Sequence, residues 1–302
     1  MKKKVLITGA TGLIGQKLIE LCSEKGIEVH YFTRDPSKVS HFKNAKGFLW
    51  DIKNRTLDDG AFQGVTTIVH LAGAPISKRW TKSYRKTLVN SRVVPMQMMY
   101  ERLEKINHSV GHFISASGIS IYPSSSTKLY TEDEQSRSLN FITEVVEKWE
   151  AQARKFKSLG MEVSKVRTGL VLAKNGGLLQ TLVQPVRLGI GSPLGSGEQW
   201  QSWIHIEDIA GIYLFLMRSN MEGIFNAVAP NPVKQKRLIK LIATKLNKPL
   251  WMPNVPGFAI KLLMGEMGSL ALESQLVSAN KIKEIGYHFQ YPNLEPALDD
   301  LL

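Results

Sequence analysis

The sequence predicts an α/β protein: a doubly wound parallel sheet followed by a small, mainly helical C-terminal domain. Short apolar runs rich in branched and aromatic residues recur along the chain, first at Lys4–Thr8 and Glu28–Thr33, then at 67–71, 112–115 and 162–167. Between them lie stretches with apolar residues at helical spacing, such as Leu13, Ile14, Leu18, Ile19 and Leu21. Strands separated by helices need crossovers, which set neighbouring strands parallel and place helices on both faces of the sheet.

Each element follows in order. The strand at Lys4–Thr8 stops at Gly9, and a helix over 13–25 stops at Gly26. A second strand covers Glu28–Thr33 and a third 47–50. The apolar strand 67–71 runs into the small residues Ala72-Gly73-Ala74-Pro75. A long helix over about 81–105 precedes strand 112–115, and a helix over 140–159 precedes strand 162–167. Residues 174–202 are rich in glycine and carry Pro185 and Pro193, which reads as a short helix (178–188) and a long loop. Short strands at 203–206 and Gly223–Ala227 flank a helix at 209–217. Beyond Pro230 come a helix at 235–246, a proline-rich turn, a helix at Gly257–Met264 and a helix near 274–285. The expected division is residues 1–230 and 231–302, the second part covering a substrate cleft.

Composition narrows the class. The 302 residues are 43% hydrophobic and 22% charged, which excludes a disordered or fibrous chain. The longest apolar run, Ile209–Met217, is far short of the ~20 residues that cross a bilayer. Lys2-Lys3-Lys4 leads into an apolar segment that meets Thr8-Gly9 too early for a signal peptide. The single cysteine, Cys22, cannot form an internal disulfide, and the expected location is the cytoplasm. Thirty-nine Lys and Arg against 26 Asp and Glu give a net charge of +13. No acid occurs between Gly60 and Tyr100, whereas Lys78, Arg79, Lys82, Arg85, Lys86 and Arg92 do. This reads as a solvated basic face or as help with an anionic cofactor; nucleic acid is disfavoured, because no zinc-ligand spacing or RNA-binding aromatic motif accompanies it.

The most informative stretch is Thr8-Gly9-Ala10-Thr11-Gly12-Leu13-Ile14-Gly15. It follows a strand and opens a helix, where a dinucleotide site requires glycines. Gly9 permits the tight turn, Gly12 lets backbone approach a pyrophosphate, and Gly15 lets helix and strand pack closely. The helix N-terminus then offers N–H groups and a positive dipole end to the phosphates. At the end of the second strand stand Thr33 and Arg34 rather than an acid, which favours the 2′-phosphate of NADP, with NAD as second choice; Asp35 is the complicating neighbour.

That turn, His70-Leu71-Ala72-Gly73, Ile114-Ser115-Ala116-Ser117 and Trp203-Ile204-His205-Ile206-Glu207-Asp208 together resemble the extended short-chain dehydrogenase/reductase group. Within it the chain is similar to the atypical NAD-dependent epimerase/dehydratase-like subfamily with a C-terminal domain of unknown function, matched by Leu262-Leu263-Met264-Gly265-Glu266 and by residues 286–292. The resemblance implies a Rossmann fold and further cofactor contacts: Asp51 and Ile52 near adenine, Leu71, Ala72 and Gly73 beside the nicotinamide half, Arg79 after that turn, and Asn90 in the cleft. It also implies Ser117 as the family's serine and Tyr122 as a shaper of the substrate pocket.

The tyrosine–lysine dyad of the broad family is absent. Phe141 stands where the tyrosine belongs and Val145 where the lysine belongs, and a phenyl ring has no proton to give. Two functions therefore compete: an NADP-dependent reductase, epimerase or dehydratase acting on a small polar, sugar-like substrate, and a non-catalytic NADPH-binding sensor or regulator. Val93, Met96, Met98, Met99 and Tyr100 form an apolar helix face suited to homodimer contacts or equally to packing on the sheet.

Overall fold

A computed structural model describes residues 3–302. Eight strands form the main sheet: β1 (Lys4–Thr8), β2 (Glu28–Thr33), β3 (Ala45–Asp51), β4 (Thr56–Leu57), β5 (Thr67–His70), β6 (His112–Gly118), β7 (Glu162–Thr168) and β8 (Gly223–Ala227). Their spatial order is β8-β7-β6-β5-β1-β2-β3-β4; all pairs are parallel except β3 with β4. The chain winds outward from β1 through β2 and β3, then restarts on its other side at β5. That reversal creates a crevice at the carboxyl ends of β1 and β5, where ligands bind in open α/β sheets.

The helices are α1 (Leu13–Glu24), α2 (Lys82–Leu103), α3 (Phe141–Arg154), α4 (Gly177–Arg187), α5 (Ile206–Ser219), α6 (Gln235–Lys245), α7 (Gly257–Met264), α8 (Gly268–Leu272), α9 (Asn280–Glu284) and α10 (Leu294–Leu301). Side-chain caps start two of them beside the cleft: the Thr81 hydroxyl accepts from Tyr84 N at 3.2 Å, and Asn140 Oδ1 accepts from Thr143 N at 3.0 Å. Met96, Met98 and Met99 of α2 are buried within the chain. Tyr100 packs edge-on against Phe156 and bonds Ser158. The three methionines of that helix face are thus spent inside the subunit.

A second core joins Leu172, Leu179, Val183, Trp203 and Ala229 to Leu238, Ile242, Leu294 and Leu298. It draws on both sides of position 230, so the chain crosses that position within one packed unit. Two of the resembling motifs are also bound together. Asp208, in the first turn of α5, accepts from Gln290 N at 2.8 Å and Tyr291 N at 2.9 Å and from the Tyr287 hydroxyl at 3.1 Å.

The helix expected near 274–285 is shorter. Residues Leu276–Val277 are extended and pair in parallel with Leu129–Tyr130, and only α9 is helical. Local hydrogen bonds account for this: the Ser202 hydroxyl donates to Gln275 O and accepts from Val277 N, while Ser274 Oγ donates to Ser125 O. Among the described residues no helix is long and apolar enough to cross a membrane.

Candidate functional site

The glycine turn has the steric properties of a phosphate cradle. Gly9 sits at φ +71°, and a Cβ there would lie 2.7 Å from Leu71 C and 2.8 Å from Ala72 N, so the turn presses against the chain leaving β5. A Cβ on Gly15 would lie 2.7 Å from Ala10 Cα, so no side chain fits between α1 and the turn. Gly12 differs: a Cβ there meets only Gly9 O, at 3.1 Å, and otherwise open space. Gly12 is also the N-cap of α1, which has neither a capping side chain nor an acid in its first turn. Its first N–H groups therefore remain available to an anion. These features fit a dinucleotide pyrophosphate.

The cradle opens into a cleft of about 430 Å³. Gly9, Gly12, Leu13, Ile14, Gly15 and Leu71 line it together with Ser117, Trp149, Gln201 and Glu273. Thr11 is exposed at the rim, its carbonyl accepting from Gln16 Nε2 at 2.8 Å. Ala72 N donates to Thr8 Oγ1 at 3.2 Å, and Gly73 leaves room for Arg92, whose Cζ would be 3.0 Å from a Cβ there.

At the far end of β2, Thr33 is buried and its hydroxyl oxygen accepts from Asp35 N at 3.2 Å. Asp35 is committed to its own loop, where Oδ1 accepts from Ser37 N at 3.0 Å and from Ser37 Oγ at 2.7 Å. Arg34 is exposed and has no ion pair among the described residues. Asp51 is likewise occupied: its carboxylate accepts from Lys53 N, Asn54 N and Asn54 Nδ2 at 2.8–3.1 Å, and the Asn54 bonds hold it below the usual carboxylate range. Asp51 thus closes its own turn while staying exposed, and Ile52 packs half-buried on the core.

On α2, Asn90 is exposed, and Arg92, about 200° further round the helix, lines the cleft. The expectation for Asn90 is corrected accordingly. Arg92 donates to Leu88 O at 2.9 Å and Ala74 O at 3.1 Å and lies 4.9 Å from the Trp149 ring centre. Arg79 is exposed beside Gly265, outside the cleft. The basic segment is thus not one free surface: Arg92 is buried, and Arg85 pairs with Glu266 and stacks 4.6 Å over Phe141.

Helix α3 presents Ile142, Val145, Val146 and Trp149 to the cleft, an apolar face. Phe141 is half-buried and meets Trp80 edge-on at 5.5 Å. Ser117, at the end of β6, lines the cleft and donates from Oγ to Glu150 Oε1 at 2.7 Å. Tyr122 does not reach the cleft. Its ring is fully buried, and its hydroxyl donates to Asn226 Oδ1 at 2.8 Å while accepting from Arg167 Nη1 at 2.9 Å. Burial raises the phenol above its usual range despite Arg167. The expectation that Tyr122 shapes the substrate pocket is corrected to a structural one.

Sequence reasoning left Arg92 between a solvated face and an anionic cofactor, had no spacing that singled out Glu150, and missed Glu273, which lies between the two C-terminal helices it expected. Phe141, Val145 and Trp149 recur at i, i+4 and i+8, the spacing of one side of a helix, but nothing local pointed to Glu273.

The fold and site define a dinucleotide-binding α/β protein of the extended short-chain dehydrogenase/reductase type. The chain belongs to the NAD dependent epimerase/dehydratase family, whose model matches residues 5–227, and a domain of unknown function matches residues 255–301. An epimerase family protein of Staphylococcus aureus (strain MRSA252) is 35% identical over 308 residues, covering 99% of each chain. The crystal structure of human epimerase family protein SDR39U1 with NADPH superposes with a TM-score of 0.86 at 28% identity, covering 99% of this chain and 98% of that one. The UDP-glucuronic acid 4-epimerase of Bacillus cereus, at 16% identity and a TM-score of 0.77, shares the fold.

Proposed function

We propose that the protein binds NADP(H) in the glycine turn, with NAD as the weaker alternative, and uses it to oxidise or reduce a carbon–oxygen centre of a small organic substrate. The observation that carries this reading is the Gly9–Gly15 cradle opening directly into the cleft that holds Ser117. NADP is favoured by Arg34, exposed and with no ion pair among the described residues, beside an Asp35 already bonded to Ser37. The NADPH in the human relative supports the same choice.

With its proton committed to Glu150, Ser117 offers lone pairs, so it acts as an acceptor that orients a substrate hydroxyl. The substrate end has walls from Ile76, Ile142, Val145, Trp149, Leu170 and Leu270. A diphosphate sugar would leave two anionic groups here facing a single, already bonded cation, Arg92. This reading therefore replaces the sugar-like substrate with a more apolar carbonyl compound or its alcohol. Residues past 231 close that end through Leu270, Glu273 and Gln275.

The second reading, a non-catalytic NADPH sensor, is favoured by Phe141 and Val145 at the dyad positions. NADPH titration followed by turnover on a carbonyl panel separates the two. Oxidation of NADPH on any member supports the enzyme; saturable binding with no oxidation on every member supports the sensor.

A further inference from the structure

The cleft is nearly free of ionisable groups. Among its described lining residues only Arg92 and Glu273 carry charge. Arg92 is committed to two backbone carbonyls and the Trp149 ring. Among the described residues Glu273 has no ion pair, and its carboxyl accepts one side-chain hydrogen bond, from Asn140 Nδ2 at 3.1 Å.

The place of that bond matters. Asn140 is the N-cap of α3 and directly precedes Phe141, where the family resemblance expects the proton-donating tyrosine. The C-terminal segment thus brings a carboxyl group to the end of the helix that lacks the phenol. Its backbone is fixed there: Glu273 N donates to Ser269 O at 2.9 Å, Ser274 N to Ser124 Oγ at 3.0 Å, and Gln275 Nε2 to Tyr122 O at 2.8 Å.

We propose that Glu273 is the proton-transferring residue of this cleft, occupying the role left empty by Phe141 and Val145. The inference rests on the reading of the site as an NADP-dependent oxidoreductase. In the reducing direction, the carbonyl carbon of the substrate gains a hydride from the reduced nicotinamide, and the π pair of the C=O bond moves to oxygen. That oxygen takes the proton of the Glu273 carboxyl, which is left as carboxylate; the two electrons come from the nicotinamide, which ends oxidised. The reverse direction returns the proton to Glu273. Burial pushes this carboxyl above its ordinary range, which keeps the proton-bearing form accessible.

The test uses the full chain, NADPH and a panel of benzaldehyde, cyclohexanone, 2-decanone and diacetyl, with NADPH oxidation and NADPH affinity read separately. Glu273→Gln keeps an oxygen to accept from Asn140 but cannot carry the proton. It is expected to lower kcat on the reacting carbonyl by about 100-fold or more, with the Kd for NADPH changed less than twofold. Formate is expected to restore part of the rate to Glu273→Ala. Unchanged kcat in Glu273→Gln overturns the role of Glu273 and leaves the oxidoreductase reading standing. Loss of NADPH binding together with rate, and no rescue by formate, overturns it in favour of a structural role. A wild-type protein that consumes no NADPH on any panel member overturns the oxidoreductase reading and this inference with it.

Discussion

Arg167 holds Glu150 by both carboxylate oxygens, Nε to Oε1 at 2.8 Å and Nη2 to Oε2 at 3.1 Å, with both side chains buried. Oε1 also accepts from Ser117, and Lys165 Nζ lies 3.4 Å from Oε2. Strands β6 and β7 and helix α3 are thereby tied together directly beneath the cleft. Burial pushes the Glu150 carboxyl up, but the Arg167 hydrogen bonds and charge outweigh it and hold the group below its usual value.

Arg167→Met is expected to destabilise the protein by about 3–5 kcal/mol at neutral pH, because Glu150 is left as a buried charge with only Lys165 nearby. In the wild type the lowered folded-state pKa gives stability that is present above roughly 4.3, the unfolded value, and is lost as pH falls through the folded value. In the variant Glu150 can neutralise itself by protonation, so the difference between the two proteins shrinks on acidification. Urea denaturation of both proteins between pH 7 and 4.5 measures it, and a pH-independent difference counts against this account.

Tyr122→Phe removes the hydroxyl shared with Arg167 and Asn226. The expected cost is about 1–3 kcal/mol, seen as a lower Tm, with NADPH affinity unchanged because the hydroxyl does not reach the cleft. A variant of unaltered Tm that loses turnover would return Tyr122 to the reaction.

Arg34→Ala is expected to weaken NADPH binding by about ten- to a hundredfold, the equivalent of one charge-assisted contact to a phosphate. NADH binding should stay within twofold, since NADH lacks that phosphate. Parallel fluorescence titrations with the two nucleotides decide this; equal weakening of both would remove the 2′-phosphate assignment.

Cys22 is buried in the core, where burial pushes its thiol up to about 12. The folded protein should therefore resist dithionitrobenzoate at pH 8 and release one equivalent of thionitrobenzoate only on denaturation. Rapid labelling without denaturant would show that α1 opens locally.

Much of the frame was legible in the residues. The branched runs gave β1, β2, β5 and β7 nearly to the residue, because strands buried on both faces leave an uninterrupted apolar signature. The glycine turn was legible too, because steric demands on Gly9 and Gly15 are local. Asn90 was expected in the cleft and is exposed, and Arg92 was left between a solvated face and an anionic cofactor and is buried; the second half of α2 carries apolar residues on several sides, so its phase is set by tertiary packing, including the buried Pro95. Glu273 was out of reach for a related reason: its neighbour Ser274 is held by hydrogen bonds to residues about 150 positions earlier, Ser124 and Ser125. Side-chain contacts over that separation leave no periodicity to read.

Gly12 offers the sharpest measurement. A Cβ there would meet a single protein atom, Gly9 O at 3.1 Å, so Gly12→Ala should fold with a Tm close to wild type yet crowd the space a pyrophosphate needs. Calorimetric titration with NADPH is expected to give saturable binding to the wild type and at least a hundredfold weaker binding to the variant. Equal affinity in the two proteins, or no heat from the wild type with either NADPH or NADH, would contradict the nucleotide cradle and everything built upon it.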